Sequence, residues 1–261
     1  MWFDSLMDDF KASLQLSSSY KGVFVPVFLK LLMFFAMGVF IAVGAGVVVL
    51  WGIFISEMSV AYVVRSIIFM MVLGYILFVV LWSLIEVGSI NLYRVAISGE
   101  KPCKEHFFSG IRGYMKKVFA GKLLIHFLFL ILSPIWIVLF LIYAFIIGIP
   151  TAGWGIVFLM IVVGMYFATW TIAIVHDDLG VGKGLGASFR LARSHFKPMF
   201  ILVLTMYMVG QYAVSILGPV GFAVAGWFIG GVVKTYFRII LYKTYIRYGK
   251  TSDGAKAWDI L

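Results

Sequence analysis

LLMFFAMGVFIAVGAGVVVLWGIFI, residues 31–55, runs for 25 positions without an ionisable side chain. At ~1.5 Å per residue, a helix of that length exceeds the ~30 Å hydrocarbon core of a bilayer. Working outward, four further apolar runs occupy Ser66–Glu86, Leu123–Gly148, Trp154–Val175 and Met199–Leu217, and a sixth begins at Val220. Gly148-Ile149-Pro150-Thr151 and Gly218-Pro219 supply the breaks between successive runs, and Pro198 opens the fifth. Ser133-Pro134 falls inside the third run and predicts a kink there. Across all 261 residues 63% are apolar and 12% charged, and mean hydropathy is +1.08. Water-soluble domains average about half apolar and a quarter charged. The longest polar connection, 89–122, is too short for a soluble catalytic or nucleotide-binding domain.

The net charge of +10 is distributed by topology. Twenty of the 21 lysines and arginines fall in the N-terminal segment, the second-to-third and fourth-to-fifth connections and the C-terminal region; only Arg65 lies towards the other side. By the positive-inside rule, both termini are expected in the cytoplasm. A basic balance of this kind reads as membrane orientation rather than nucleic-acid binding, and no nucleic-acid partner is expected. The outer turns are short, and Glu57 is their only acid. Asp4, Asp8 and Asp9 stand where a signal peptide would be basic, so the first span is expected to remain in the mature protein. Cys103 is the single cysteine, which excludes an internal disulfide.

A short amphipathic stretch precedes each odd-numbered span. Phe3, Met7, Phe10 and Leu14 oppose Asp4, Asp8, Lys11 and Gln15; Phe107, Phe108, Ile111 and Met115 oppose Ser109, Arg112 and Lys116; Leu185, Phe189, Ala192 and Phe196 oppose Arg190, Arg193 and Lys197. The expected fold is an all-α polytopic membrane protein, with six transmembrane helices arranged as three hairpins, each preceded by a cytoplasmic interfacial helix. The single membrane domain divides into an N-terminal interfacial helix (1–30), hairpin 1 (31–88) and a basic loop and helix (89–122). Hairpin 2 (123–175), a second loop and helix (176–198), hairpin 3 (199–248) and a tail (249–261) follow. Ile111-Arg112 and Phe189-Arg190 occupy similar places in their units, as an internal repeat would require, although any six-span chain with inside termini shows the same rhythm.

Asp177-Asp178-Leu179-Gly180 through Gly184, Ala187-Ser188-Phe189-Arg190 and Phe196, leading straight into a span, resembles an element of bacterial six-helix membrane families. Those families are similar to the inner-membrane YciC-like group and to the membrane domain of some glycerophosphodiester phosphodiesterases. The resemblance implies a multi-pass protein of the bacterial inner membrane and carries over no catalytic residue, because the phosphodiesterase domain has no counterpart here.

Several ionisable groups fall at membrane depth. Only 14 residues separate Val220 from Lys234, ~21 Å of helix, so Lys234 and Arg238 enter the last span on one face. Glu86 ends the second span at comparable depth, with His126 and His176 near the same level. Such groups cost several kcal/mol unless paired or hydrated. Glu86, His126, His176, Lys234 and Arg238 therefore form a candidate polar cavity open to the cytoplasm; the alternative is snorkelling cations with a structural ion pair. A separation above about 10 Å between Glu86 and both cations would remove the site. Arg65 is expected to pair with Glu57 or reach the outer headgroups.

Gly180-Val181-Gly182-Lys183-Gly184-Leu185-Gly186 lacks the phosphate-loop pattern and reads as a flexible hinge, while Gly226 and Gly230 form a GxxxG packing motif. HExxH and a nucleophile elbow do not occur, so no enzyme activity, catalytic residue, metal or cofactor is expected. Arg112, Lys116, Lys117, Arg190, Arg193 and Lys197 are candidate contacts for anionic lipid headgroups. Two functions stand. One is a permease-like or channel-like protein for a small or lipidic anion, and the other a non-transporting scaffold or accessory subunit that binds anionic lipid and protein partners. A second copy or a protein partner at the cytoplasmic face is compatible with either.

Overall fold

The computed structural model describes residues 2–54, 60–215 and 225–249, and its elements are helical. In chain order they are α1 (Trp2–Ser19), α2 (Val25–Phe54), α3 (Val60–Ile97), α4 (Lys104–Ile147) and α5 (Ile149–Tyr166). Then come α6 (Trp170–Asp177), α7 (Val181–Ser194), α8 (Phe196–Ser215) and α9 (Ala225–Gly249), with a 3-10 turn at Lys21–Phe24 before α2. Among the described residues four segments are long and apolar enough to cross a membrane: Lys21–Val48, Val64–Ile97, Lys104–Ile146 and Gly153–Asp177. The apolar part of α8, Phe196–Val209, is shorter. Glu57, the Gly218-Pro219 turn and the tail from residue 250 lie outside the described residues.

The core sits at the basic end of the bundle. There α3, α4, α6, α7, α8 and α9 bury Ile90, Val118, Ile172, Ile174, Leu191, Met199 and the 239–242 stretch of α9 together. Towards the other end apolar side chains face outward, Phe145 of α4 at 93% exposure, and Phe35 of α2 is 71% exposed. An exposed apolar surface of that extent needs lipid around it.

Sequence patterning located α1 and α7; their inward faces carry small and polar residues beside Leu6 and Leu16 in α1 and Leu185, Leu191 and Ala192 in α7. α1 turns Asp9, Ser13 and Ser17 inward and leaves Met7, Phe10 and Leu14 about 40% exposed. The Ser13 and Ser17 hydroxyls donate to the carbonyls of Asp9 and Ser13 at 2.6 and 2.7 Å, which satisfies them within the helix and permits close packing. In α7, Gly184, Ala187 and Ser188 point inward and Phe189 is exposed. Both helices thus keep exposed apolar side chains, Met7, Phe10 and Leu14 in α1 and Phe189 in α7.

The structure corrects three expectations of element boundaries. The basic helix around 107–119 and the third span are one 44-residue helix, α4, with Pro134 inside it. No breaker separates them; Gly121 is a contact residue, since any Cβ there would strike the Trp170 ring. The fourth span is divided, α5 ending at Tyr166 and α6 starting at Trp170. The glycine run at 180–186 is no hinge: it forms the first turns of α7, and a Cβ at Gly184 would lie 2.8 Å from Ile174 and 3.3 Å from the Trp170 carbonyl. In the GxxxG of α9, Gly230 has open space beside it, and the close approach is made by Gly231 against Val27. The amphipathic segments therefore join the apolar helices that follow them differently, through a 3-10 turn, without interruption, and through a turn at His195.

α1 is fastened to α9 by Arg247, whose Nη2 lies 2.8 Å from the Asp9 Oδ1. Burial nonetheless pushes the Asp9 carboxyl above its ordinary value, and Arg247 and Lys243 pull it only partly back. A carboxyl raised on folding favours the folded state at low pH, and that contribution is lost as pH rises through the raised value. At neutral pH the charge on Asp9 is thus a net cost. Asp9→Asn is expected to unfold at an equal or higher temperature than the parent at pH 7, with the gap narrowing towards pH 4. Thermal scans in detergent at the two pH values check this.

Candidate functional site

Four helices converge on one carboxylate. Glu86 lies on the last third of α3, where Ser83, Ser89 and Asn91 are also buried. The Ser83 and Ser89 hydroxyls donate back to the carbonyls of Val79 and Ile85, so they need no partner outside α3. Glu86 does need partners. Its Oε2 is 2.7 Å from the Lys122 Nζ of α4, and its Oε1 is 3.2 Å from an Arg238 guanidinium nitrogen of α9. Thr171 of α6 donates its hydroxyl to the same Oε1 at 3.1 Å. The Glu86 and Lys122 side chains are about 10% and 8% exposed, which makes this a buried pair. At 2.7 Å the Lys122 ammonium and the Glu86 carboxylate pair their charges directly.

Trp82, one turn before Glu86, forms a wall of the cluster. Lys30 of α2 lies 5.3 Å from the centroid of its indole ring and Lys122 lies 5.7 Å from it, both within cation–π range. Lys30 is half-buried, and Lys234, one turn before Arg238, is exposed. Around a single carboxylate there are thus two directly paired cations and two more, Lys30 and Lys234, close enough to act on one another's charge. The cluster carries surplus positive charge.

Of the five residues expected to share a cavity, the structure brings Glu86 and Arg238 into contact and leaves Lys234 at the margin. His126 is exposed; its Nδ1 is 2.7 Å from the Lys122 carbonyl and its ring meets Tyr75 edge-on. His176 belongs to a second cluster, with Nδ1 2.9 Å from the Tyr242 hydroxyl and its ring against Tyr242 and Tyr245. Lys122, Thr171, Lys30 and Trp82 complete the site and were not among the expected members. Lys122 stands at the predicted start of a span, where a lysine ordinarily snorkels, and Thr171 sits in an apolar run, so neither carried a signal of its own.

The second cluster accounts for the loop at 177–196. Asp178 ends α6 in the left-handed conformation at φ 53° and pairs with Lys117 of α4 at 2.7 Å. Asp177 accepts the Tyr245 hydroxyl of α9, and an Arg94 guanidinium nitrogen of α3 donates to the Val175 carbonyl at 3.2 Å. Phe189 packs edge-on against Tyr166 and Phe167. Asp177, Asp178, Gly184 and Phe189 each make a structural contact, so the element holds helices together at the basic end. Of the expected headgroup contacts, Arg112, Lys116, Arg193 and Lys197 are exposed, Arg190 is half-buried, and Lys117 is engaged by Asp178.

No family model, curated protein or solved structure matches this chain.

Proposed function

We propose that this chain is a non-transporting, multi-pass protein of the cytoplasmic membrane that binds anionic lipid headgroups at its basic end and offers the same surface to protein partners. The observation that carries this reading is the make-up of the Glu86 cluster. The carboxylate is engaged directly by Lys122, Arg238 and Thr171, and the remaining positive charge sits at its margin on Lys30 and Lys234. A phosphate at that margin would be met by two ammonium groups beside an indole, while Glu86 stays occupied. Arg112, Lys116, Arg193 and Lys197 extend the basic surface, at about 1 kcal/mol per charge near anionic lipid. Six spans with both termini in the cytoplasm, and kinship with the YciC-like group through the 177–196 loop, belong to the same proposal.

The test is lipid retention. The full chain is reconstituted with equal phosphatidylglycerol and phosphatidylcholine, extracted again in mild detergent, and its bound lipid measured by mass spectrometry. Phosphatidylglycerol is expected to be enriched several-fold, and the enrichment to fall in Lys30→Gln/Lys234→Gln. Equal retention of the two lipids by the parent protein would overturn the reading. Saturable anion flux into proteoliposomes would replace it with the transport reading.

A further inference from the structure

The α2–α3 pair carries a second feature, far from the basic end. Its register is antiparallel: Met70 lies against Gly44, Phe40 against Gly74, and Lys30 over Trp82. These pairs place Arg65 level with the stretch just beyond Val48. On one face of the pair two furrows open end to end and share Ala36. One, of about 570 Å³, reaches back from Ala36 to Gly22 and to Cys103 and Lys104 at the start of α4. The other, of about 750 Å³, runs from Ala36 to Val48 and ends at Arg65 and Ser66. Both volumes lie within the roughly 300–1,000 Å³ of ligand sites.

The furrow ending at Arg65 has the dimensions of one lipid leaflet. Ala36 to Val48 spans about 18 Å of helix, against about 15 Å for half of a bilayer's hydrocarbon. Val39, Val43 and Val47 of α2 and Phe69 of α3 line it, and Gly44 admits the Met70 side chain beside them. Arg65 is exposed at its end, and no acidic side chain among the described residues lines it. A slot one leaflet deep and apolar throughout, with a guanidinium at its mouth, is complementary to an acyl chain below a phosphate. Guanidinium binds phosphate bidentately and with charge assistance.

We infer that this furrow is a phospholipid site in the leaflet that Arg65 faces, taking an anionic phosphodiester headgroup on Arg65 and one acyl chain along Val39, Val43 and Val47. The site holds its lipid and does not pass it across. Among the described residues, the combined trough presents no polar side chain between Ser66 and Cys103, so a headgroup moving along it would lose its hydration unreplaced. The inference rests on α2 and α3 spanning the membrane and is independent of the lipid reading of the basic end.

Photo-crosslinking tests it. The full chain is placed in nanodiscs containing phosphatidylglycerol with a diazirine in the acyl chain, and separately in nanodiscs with the matching phosphatidylcholine probe. Labelled peptides are then mapped by mass spectrometry. Phosphatidylglycerol is expected to label residues 36–48 about tenfold more than phosphatidylcholine, and Arg65→Gln to abolish that preference, as the loss of one charge-assisted contact implies. Arg65→Lys should restore part of it. Val43→Trp, which fills the furrow, should remove labelling by both probes, with gel filtration reporting on folding. Lys30→Gln/Lys234→Gln should leave labelling of 36–48 unchanged, which separates this site from the basic end. Equal labelling by the two probes, or an unchanged preference in Arg65→Gln, would overturn the inference and leave ordinary annular lipid.

Discussion

Glu86→Gln is expected to lower the unfolding free energy by about 3–5 kcal/mol, the usual cost of breaking a buried ion pair from one side. The substitution keeps the shape and the acceptor for Thr171 but removes the charge that Lys122 faces at 2.7 Å. Arg238 is a third exposed and can turn to water, whereas Lys122 is 8% exposed and packed beside Trp82. The penalty therefore falls on Lys122. Lys122→Met in the Glu86→Gln background should recover most of the loss, because it removes the buried charge that the first substitution leaves unpaired. Equilibrium unfolding in mixed micelles, followed by tryptophan fluorescence, gives the double-mutant cycle. A single-variant loss below about 1 kcal/mol would mean that water reaches Lys122 and that the cluster is an open site rather than a closed pair. The same variant bears on function: with Glu86 neutral, Arg238 joins Lys30 and Lys234 as a free cation, and phosphatidylglycerol retention should rise.

The limits of reading this chain from sequence follow from which interactions set each feature. Hydropathy is a one-dimensional property, so the apolar runs around 31–55, 66–86 and 123–148 were legible without any knowledge of neighbours. Depth is nearly as direct: counting residues put Glu86 and Arg238 at one level, and they are 3.2 Å apart. Direction around a helix is decided by partners. His126 follows Lys122 by one turn, yet Lys122 is buried against Glu86 while His126 is exposed beside Tyr75. The same holds for α1 and α7, where Ser13, Ser17, Gly184 and Ser188 are buried while Phe10 and Phe189 are exposed. Helix boundaries were least legible where a distant residue sets them. Nothing between Tyr166 and Trp170 announces a break in the fourth span, and nothing in the sequence shows that Gly121 makes room for the Trp170 ring.

That break rests on Ser188, and Ser188→Ala is expected to cost about 2–4 kcal/mol. Between α5 and α6 the ladder of backbone hydrogen bonds is interrupted at Phe167–Thr169, in an interior where Thr169 and Ser188 are fully buried. The Ser188 hydroxyl enters the gap from α7, donating to the Tyr166 carbonyl at 2.6 Å and accepting from the Thr169 N–H at 3.2 Å and the Thr169 hydroxyl at 2.9 Å. One side chain thus answers three groups that a continuous helix would have satisfied or not exposed. Alanine leaves them without that partner at ~1–3 kcal/mol for each buried group, less whatever Thr169 regains by rotating its own hydroxyl. Ser194 supplies the control on the same helix. It is exposed and donates to the carbonyls of Arg190 and Leu191 in its own helix, so Ser194→Ala should stay within about 0.5 kcal/mol of the parent. Unfolding of the two variants side by side, with hydrogen exchange at the Thr169 amide as a local readout, distinguishes the cases. Faster exchange at Thr169 with a global loss is the expected pattern. An unchanged amide and a loss no larger than that of Ser194→Ala would mean that the break is held by packing of Phe189 on Tyr166 and Phe167 instead.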